Sequence, residues 1–200
     1  MRAAVLYGKE DVRIESVDVP ALEHGEVLLR TKAALTCGTD AKVYHRGYHA
    51  RMIAPPAVFG HELAGVVEEL GPGVRGLQVG APVVVANSAP CGACEFCKRG
   101  RESLCDDLLF WNGAYAELAR IPARIVEKNL LLLPVGLDFR AAAMTEPLAC
   151  VVRGVAESRV EAGSSVAVIG VGPIGQMLVA LCRLRGASVT AVGRNRERLQ

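Results

Sequence analysis

Four cysteines in one short stretch constrain this chain more than any other feature. Cys91, Cys94, Cys97 and Cys105 stand in the spacing C-x2-C-x2-C-x7-C, close enough along a loop to close a tetrahedron around one metal ion. Four soft ligands leave no open coordination position, so the expected ion is a structural zinc whose binding holds the loop together. Iron–sulfur ligation is the rival reading of a Cys-rich loop, but no second cluster motif accompanies this one. A nucleic-acid zinc ribbon would carry a basic, aromatic surface, and here only Lys98, Arg99 and Arg101 follow. The chain has seven cysteines, an odd number, and Met1 to Tyr7 shows no signal peptide. Together these point away from a disulfide framework and toward a reducing compartment, the cytoplasm.

A second constellation is spread along the chain. Phe59-Gly60-His61-Glu62 sets an imidazole beside a carboxylate after an apolar approach, with Cys37 upstream in Leu35-Thr36-Cys37-Gly38-Thr39-Asp40 and Glu146 downstream in Thr145-Glu146-Pro147. A His-Glu pair alone is most often a solvated turn. A thiolate, an imidazole and a carboxylate from separate segments are instead the ligand types of open zinc centres, where a position is left for water or substrate. Asp40 is placed either to orient a ligating histidine through its second ring nitrogen or to cap a helix over Ala41 to Tyr44. His24, His45 and His49 lie in polar, turn-like surroundings and read as surface residues.

Around these motifs the pattern is one of short strands. Met1 to Tyr7 and Val12 to Val19 pair across a turn at Gly8 to Asp11, Glu26 to Ala34 leads to Cys37, Leu63 to Val74 ends in a Gly-Pro-Gly turn, and Pro82 to Ala86 follows. Gly113 to Ala119 alternates like a strand, and Ile121 to Val126 reads as an edge element broken by Pro122. Phe110 and Trp111 either line a cleft or pack beneath the cysteine lobe. The first 130 residues are therefore expected to form a β-rich barrel or sandwich. With 200 residues, 51% of them hydrophobic, the chain can bury a core, and a net charge of +2 gives no general attraction to nucleic acid or anionic membrane.

The chain changes character after Glu146. Leu148 to Ser158 has helical spacing, with Cys150 read as a core thiol or a further ligand. Ser165 to Ile169 is a continuous apolar run suited to a buried parallel strand. Gly170-Val171-Gly172-Pro173-Ile174-Gly175 comes directly after it, then a helix from Gln176 to Arg185 and a second strand from Ser188 to Val192. Strand before and helix after turn a weak G-x-G-x-x-G into a strong dinucleotide signal, because glycines let a pyrophosphate approach the backbone at the helix N-terminus. Three glycines and a proline interrupt Val166 to Cys182, the most apolar stretch, and it falls short of a membrane span. After the second strand an NAD site would present a carboxylate. Here Gly193-Arg194-Asn195-Arg196 offers a guanidinium suited to the 2′-phosphate of NADP, so NADP is favoured over NAD, with a solvated helix start as the alternative.

The pattern Gly60-His61-Glu62-x2-Gly65-x5-Gly71-x2-Val74, with Cys37 before it and the four-cysteine lobe after it, resembles the zinc-containing alcohol dehydrogenases of the medium-chain dehydrogenase/reductase family. The likeness runs from Met1 to Gln200. It implies an α/β protein: a GroES-like β-rich catalytic domain over 1–150, then the start of a Rossmann doubly wound parallel sheet over 151–200. It also implies one catalytic and one structural Zn2+. Cys37, His61 and Glu146 resemble the three catalytic ligands, Glu62 the carboxylate that exchanges with water on the metal, and Thr39 the hydroxyl that passes the substrate proton on. Glu146 at the third position is similar to the polyol and sugar branch, where many simple alcohol dehydrogenases carry cysteine. Some relatives have a histidine where this chain has Lys42, so Lys42, water or a ribose hydroxyl completes the relay. The activity implied is hydride transfer between an alcohol or its carbonyl and a nicotinamide cofactor, in a homodimer or homotetramer with no nucleic-acid or membrane partner. The family continues beyond the second Rossmann strand, so the 200-residue piece is expected to show poor activity alone. An inactive zinc-stabilised binding module on the same scaffold is the alternative.

Overall fold

The computed structural model describes residues 1–199, and the chain divides into two units, one spanning Met1–Thr145 and the other starting at Glu146. Gln200, the last residue of the expected Rossmann segment, lies outside the described residues. The first unit opens with a hairpin of β1 (Arg2–Gly8) and β2 (Asp11–Ser16). β2 ends at Ser16 rather than at the expected Val19, as the chain approaches Pro20, which has no N–H to give a ladder. Next come β3 (Val27–Leu35), α1 (Gly38–Arg46), β4 (Ala57–Val58), β5 (Glu62–Leu70) and β6 (Pro82–Val85). The lobe follows, with β7 (Ser88–Ala89), α2 (Glu95–Lys98) and β8 (Leu109–Phe110). The unit closes with β9 (Leu118–Ile121), α3 (Ala123–Asn129), β10 (Leu130–Leu132) and α4 (Phe139–Ala143).

Its centre is a five-stranded antiparallel sheet in the order β10-β6-β5-β3-β9, flanked by a small sheet in the order β2-β1-β4. Val27, Leu29, Leu63, Val67, Val83, Val85, Ile121 and Ile125 form the main core, and Trp111 is buried with them. Burying side chains of this size contributes roughly 1.5–3 kcal/mol each, which fixes the strand register, since a one-residue slip would turn them to solvent. β3 and β5 pair over their whole length, Val27 opposite Leu70 at one end and Leu35 opposite Glu62 at the other. Gly65 on β5 has no side chain because a methyl there would lie 2.3 Å from the Arg30 carbonyl oxygen across the pair.

Two further segments depart from the expected strands. The strand after Gly113 covers only Leu118–Ile121, because the N–H groups of Gly113 and Ala114 both turn to the Gly60 carbonyl, at 2.8 and 3.0 Å, and that of Tyr115 to Phe59 at 2.9 Å. The element from Ile121 to Val126 is not an edge strand. Pro122, with φ −59°, is the N-cap of α3, a place where the helix needs no N–H from it, and Ala, Arg, Glu and Lys carry the helix on.

α5 (Thr145–Glu157) starts on the last residue of the first unit and belongs otherwise to the second, which also contains β11 (Ser165–Ile169), α6 (Pro173–Leu184) and β12 (Ser188–Val192). β11 and β12 pair in parallel from Ser165–Ser188 to Ile169–Val192, a β-α-β unit. Val151, Val155, Val160 and Cys182 form its core, with Val166, Met177, Leu178 and Val189 packed against it. The expected all-round burial of β11 does not hold among the described residues: Val168 is buried and Ile169 is exposed, because only one face of this two-stranded sheet meets the helices. Cys150 is exposed rather than a core thiol, since the apolar stripe of α5 runs through Val151 and Val155 instead. Among the described residues no helix is long and apolar enough to cross a membrane.

Candidate metal centre and nucleotide loop

The register of β3 on β5 builds the first site. With Leu35 opposite Glu62, the residues just past the end of β3 meet those just before β5, and Cys37 Sγ comes to 3.2 Å from His61 Nε2. One ligand atom each from Cys37, His61 and Glu62 falls within a set no wider than 4.8 Å. A tetrahedral zinc with ordinary bond lengths would hold sulfur and nitrogen about 3.5 Å apart, so the donors fit that ion. His61 and Glu62 are 3% and 2% exposed, and Cys37 is half-buried.

Local capping fixes Cys37. It is the N-cap of α1, its Sγ accepts the Thr39 N–H at 3.1 Å, and its own N–H donates to Asp40 Oδ2 at 2.9 Å, a capping box built with a thiol. Asp40 is therefore the third helical residue and not an N-cap for Ala41 to Tyr44. Its other oxygen, Oδ1, lies 3.0 Å from His61 Nδ1. A proton held at Nδ1 leaves the Nε2 lone pair facing Cys37, the tautomer a metal requires. Burial alone would raise the Asp40 carboxyl, but His61, the Cys37 N–H and Tyr115 outweigh it and hold the group below its ordinary value. For Cys37 burial prevails and pushes the thiol up, against the opposing Asp40 and Thr39 donors. A divalent cation at Sγ would supply the compensation that a buried thiolate lacks.

Tyr115 completes the support, and sequence reasoning did not single it out. Its hydroxyl lies 2.9 Å from the Leu35 carbonyl, 3.0 Å from Thr36 Oγ1 and 3.0 Å from Asp40 Oδ2. Burial pushes its pKa up, and its ring meets Phe59 edge to face at 5.6 Å. Gly60, at φ +85°, leaves room for that ring: a methyl there would lie 2.5 Å from it. The available signal was a single aromatic between Gly113 and Ala119, in a segment that reads simply as a strand. Thr39 is half-buried and Lys42 exposed, one turn apart on α1. Of the three histidines read as surface, His24 and His45 are exposed and His49 is half-buried. Trp111 packs in the core, its Nε1–H donating to the Arg120 carbonyl at 2.8 Å.

The second site is the lobe. The sulfurs of Cys91, Cys94, Cys97 and Cys105 all lie within 4.8 Å of one another. Cys91 and Cys97 are 4.0 Å apart and Cys94 and Cys97 3.5 Å, against about 3.8 Å for a Zn(Cys)4 tetrahedron. The N–H groups of Ala93 and Cys94 pull the Cys91 thiol down to about 6. The Asp106 N–H, then that of Cys97, lowers Cys94, while burial pushes Cys97 up to about 12. Backbone donors aimed at sulfur favour the thiolates a metal needs.

In the second unit Glu146 stands in the first turn of α5, half-buried. Gly170, at φ +102°, leaves β11, Gly172 is the N-cap of α6, and Pro173 occupies its first turn beside Ile174. Gly175 lets the helix close on the loop, since a methyl there would lie 1.8 Å from the Gly170 carbonyl oxygen. A side chain at Gly193 would meet Val171 at 2.3 Å, and Arg194 is exposed just beyond β12.

Residues 23–132 match the alcohol dehydrogenase GroES-like domain. The chain belongs to this family. Sorbitol dehydrogenase of Bacillus subtilis (strain 168) is 33% identical over 198 residues, covering 96% of this chain and 55% of that protein. L-threonine 3-dehydrogenase of the same organism is 38% identical over 193 residues, covering 94% and 54%. Among solved structures, an alcohol dehydrogenase from Thermus sp. ATN1 superposes with a TM-score of 0.87 at 36% identity, over all of this chain and 60% of that one. A zinc-binding dehydrogenase from Sinorhizobium meliloti 1021 bound to NADP gives 0.89 at 33% identity, covering 98% and 57%. This GroES-like family member is thus a zinc-type medium-chain dehydrogenase/reductase in fold, a β-rich GroES-like domain followed by the beginning of a Rossmann sheet. It spans about half the length of the curated relatives it matches.

Proposed function

We propose that this chain carries the metal centre and the first nucleotide-binding motif of a zinc-dependent dehydrogenase that moves a hydride between an alcohol or polyol, or its carbonyl, and a nicotinamide. The observation that carries the reading is the Cys37–His61–Glu62 set, with His61 turned by Asp40 so that Nε2 faces Cys37. Cys37 and His61 are the proposed zinc ligands, Glu146 the third by the chemistry of its side chain, and Glu62 a carboxylate that exchanges onto the metal. A zinc ion held there supplies Lewis acidity toward a substrate hydroxyl. Thr39 takes the substrate proton at Oγ1 and passes it outward, and Lys42, one turn along α1 and exposed, is the proposed outer member of that relay. The four cysteines of the lobe are proposed to hold a second, structural zinc.

Gly170, Gly172, Pro173, Ile174 and Gly175 are proposed to receive the pyrophosphate at the start of α6, with Gly193 and Arg194 near the adenosine ribose. A nicotinamide cofactor bound there supplies the hydride acceptor. The preference for NADP is supported by Arg194 in the place of a carboxylate, and by a relative of similar fold that binds NADP. The names of the relatives, sorbitol and L-threonine dehydrogenases, support a substrate whose reacting hydroxyl has polar neighbours, a polyol or amino alcohol. A cytoplasmic setting is proposed from the metal-type use of cysteine, and a homodimer or homotetramer for the full-length enzyme.

Zinc per chain, measured in the native protein and in Cys37→Ser, tests the reading. Two ions falling to one supports it; one ion in both leaves the lobe as the only metal site and the inactive scaffold as the better account. Titration of NADP and NAD against Arg194→Asp tests the preference, which should reverse. Turnover of polyols and L-threonine by these 200 residues, beside a chain extended to the length of the relatives, tests the expectation that 200 residues alone are poorly active.

A further inference from the structure

The short helix α3 lies against both ends of the cysteine lobe. Arg124 reaches Asp107, just after Cys105, with Nη2 2.9 Å from the carboxylate Oδ2 and Nη1 donating to the main-chain carbonyl at 2.9 Å. Four residues on, Lys128 points to the other end: a methyl placed on Gly92, between Cys91 and Ala93, would lie 3.1 Å from its Nζ and 3.7 Å from its Cε. Asn129 closes the base, its Nδ2 donating to the Ser88 carbonyl at 2.6 Å and its own carbonyl accepting the Ala86 N–H at 3.0 Å. Gly92, at φ +75°, is needed for the turn, and a side chain there would displace the ammonium by only a few tenths of an ångström.

Charge gives these contacts a purpose. Four thiolates around a divalent ion leave a net charge of about −2 on a loop that also carries Asp106 and Asp107. The lobe's own cations stand in solvent, where their charge is screened. Arg99, at the C-cap of α2, is held by Glu95 at 2.7 Å, and Lys98 and Arg101 are exposed. The Lys128 side chain is 29% exposed and its Nζ lies 4.0 Å from Glu127, itself 75% exposed, so Glu127 competes for the ammonium only weakly.

We propose that α3 is a cationic brace for the four-cysteine lobe, in which Arg124 anchors one end through Asp107 and Lys128, at the other end, offsets the negative charge of the thiolates, setting how long the lobe keeps its metal. The proposal rests on the reading of the lobe as a zinc site. The experiment is the rate of zinc release from the 200-residue protein to an excess of a chromophoric chelator, the lobe's phase being the one that persists in Cys37→Ser. Lys128→Gln should speed that phase on the order of tenfold, as for partners outside the ligand set, and Arg124→Gln should speed it less, because its partner Asp107 is 70% exposed. Lys128→Arg should restore it to about the native rate, and Arg99→Gln should leave it unchanged, because exposed ion pairs contribute little. Cobalt in place of zinc should keep a four-thiolate absorption spectrum in every variant, separating lost compensation from a lost ligand.

A second measurement does not depend on comparing folded variants. Release from the native lobe should quicken as salt screens the brace, with most of the change by about 1 M, where screening reaches a few ångströms. Native-like release from the Lys128→Gln, Arg124→Gln double variant overturns the proposal, as does a Lys128→Arg variant no better than Lys128→Gln. No second zinc in the native protein would instead defeat the underlying reading of the lobe.

Discussion

The two cysteine-bearing sites are assembled in opposite ways. Cys91, Cys94, Cys97 and Cys105 come from one loop of 15 residues, and their sulfurs converge because turns and short helices bring them together locally. Cys37 and His61 are 24 residues apart, and they meet only because β3 and β5 pair in a register that sets Leu35 against Glu62. The first site stores its geometry in its own spacing. The second borrows geometry from the core, through Leu29, Leu63 and Val67, and from Tyr115, whose hydroxyl joins the end of β3 to Asp40. Damage to the sheet should therefore empty one site and spare the other.

The strongest way to break that asymmetry is Gly60→Val. The new side chain would meet the Tyr115 ring at 2.5 Å and sit at φ +85°, where left-handed strain and overpacking together cost about 3 kcal/mol or more. Chemical denaturation should show that loss. Zinc analysis should show the Cys37 site empty and the lobe occupied; equal loss from both would mean the sites are not independent. A smaller effect is expected from Asp40→Asn, which keeps the shape but weakens the hold on His61 Nδ1. Metal affinity at Cys37 and His61 should fall roughly 10- to 100-fold with the lobe untouched, as for other partners that orient a ligating histidine. Competition with a chelator reads both affinities in one sample.

How much was legible in the sequence follows the same division. The lobe was legible from spacing alone, and so was the β-α-β unit: β11 and β12 cover the expected Ser165 to Ile169 and Ser188 to Val192. For both, the chemistry and the chain that positions it are neighbours in sequence. Cys37 and His61 could be named as ligand types and through a family resemblance, but spacing said nothing of the register that joins them. Tyr115 went unnoticed for the same reason, because its partners lie 75 to 80 residues away. The helix at Ala123 was misread since Pro122 breaks a strand and starts a helix equally well, and only the core position of Ile125 decides between them.

Tyr115→Phe sharpens the comparison further. It removes the hydroxyl that ties Leu35, Thr36 and Asp40 together and leaves the ring against Phe59. The expected loss is about 1–2 kcal/mol in unfolding free energy, for a half-buried bond with a charged partner. Zinc affinity at Cys37 should fall less than in Asp40→Asn, because His61 keeps its carboxylate. An effect as large as that of Asp40→Asn would make Tyr115, rather than Asp40, the group that positions the imidazole.

The smallest effect is expected farther along the same strand pair. Arg30 on β3 and Glu68 on β5 form a bidentate ion pair at the surface, and Arg30 holds the Glu68 carboxyl below its ordinary value. A carboxylate depressed in the folded state stabilises above its unfolded pKa of about 4.3 and loses that contribution as pH falls through the folded value. Glu68→Gln should therefore flatten the stability profile below about pH 5, slightly, and not at all in about 1 M salt, where the pair is screened. Zinc at Cys37 and His61 should stay at the native level at neutral pH, because buried residues of β3 and β5 hold the register that this pair only spans. If Glu68→Gln empties that site while the lobe stays filled, the register depends on surface charge as well as on the core, and the contrast between the two sites is wider than the core alone makes it.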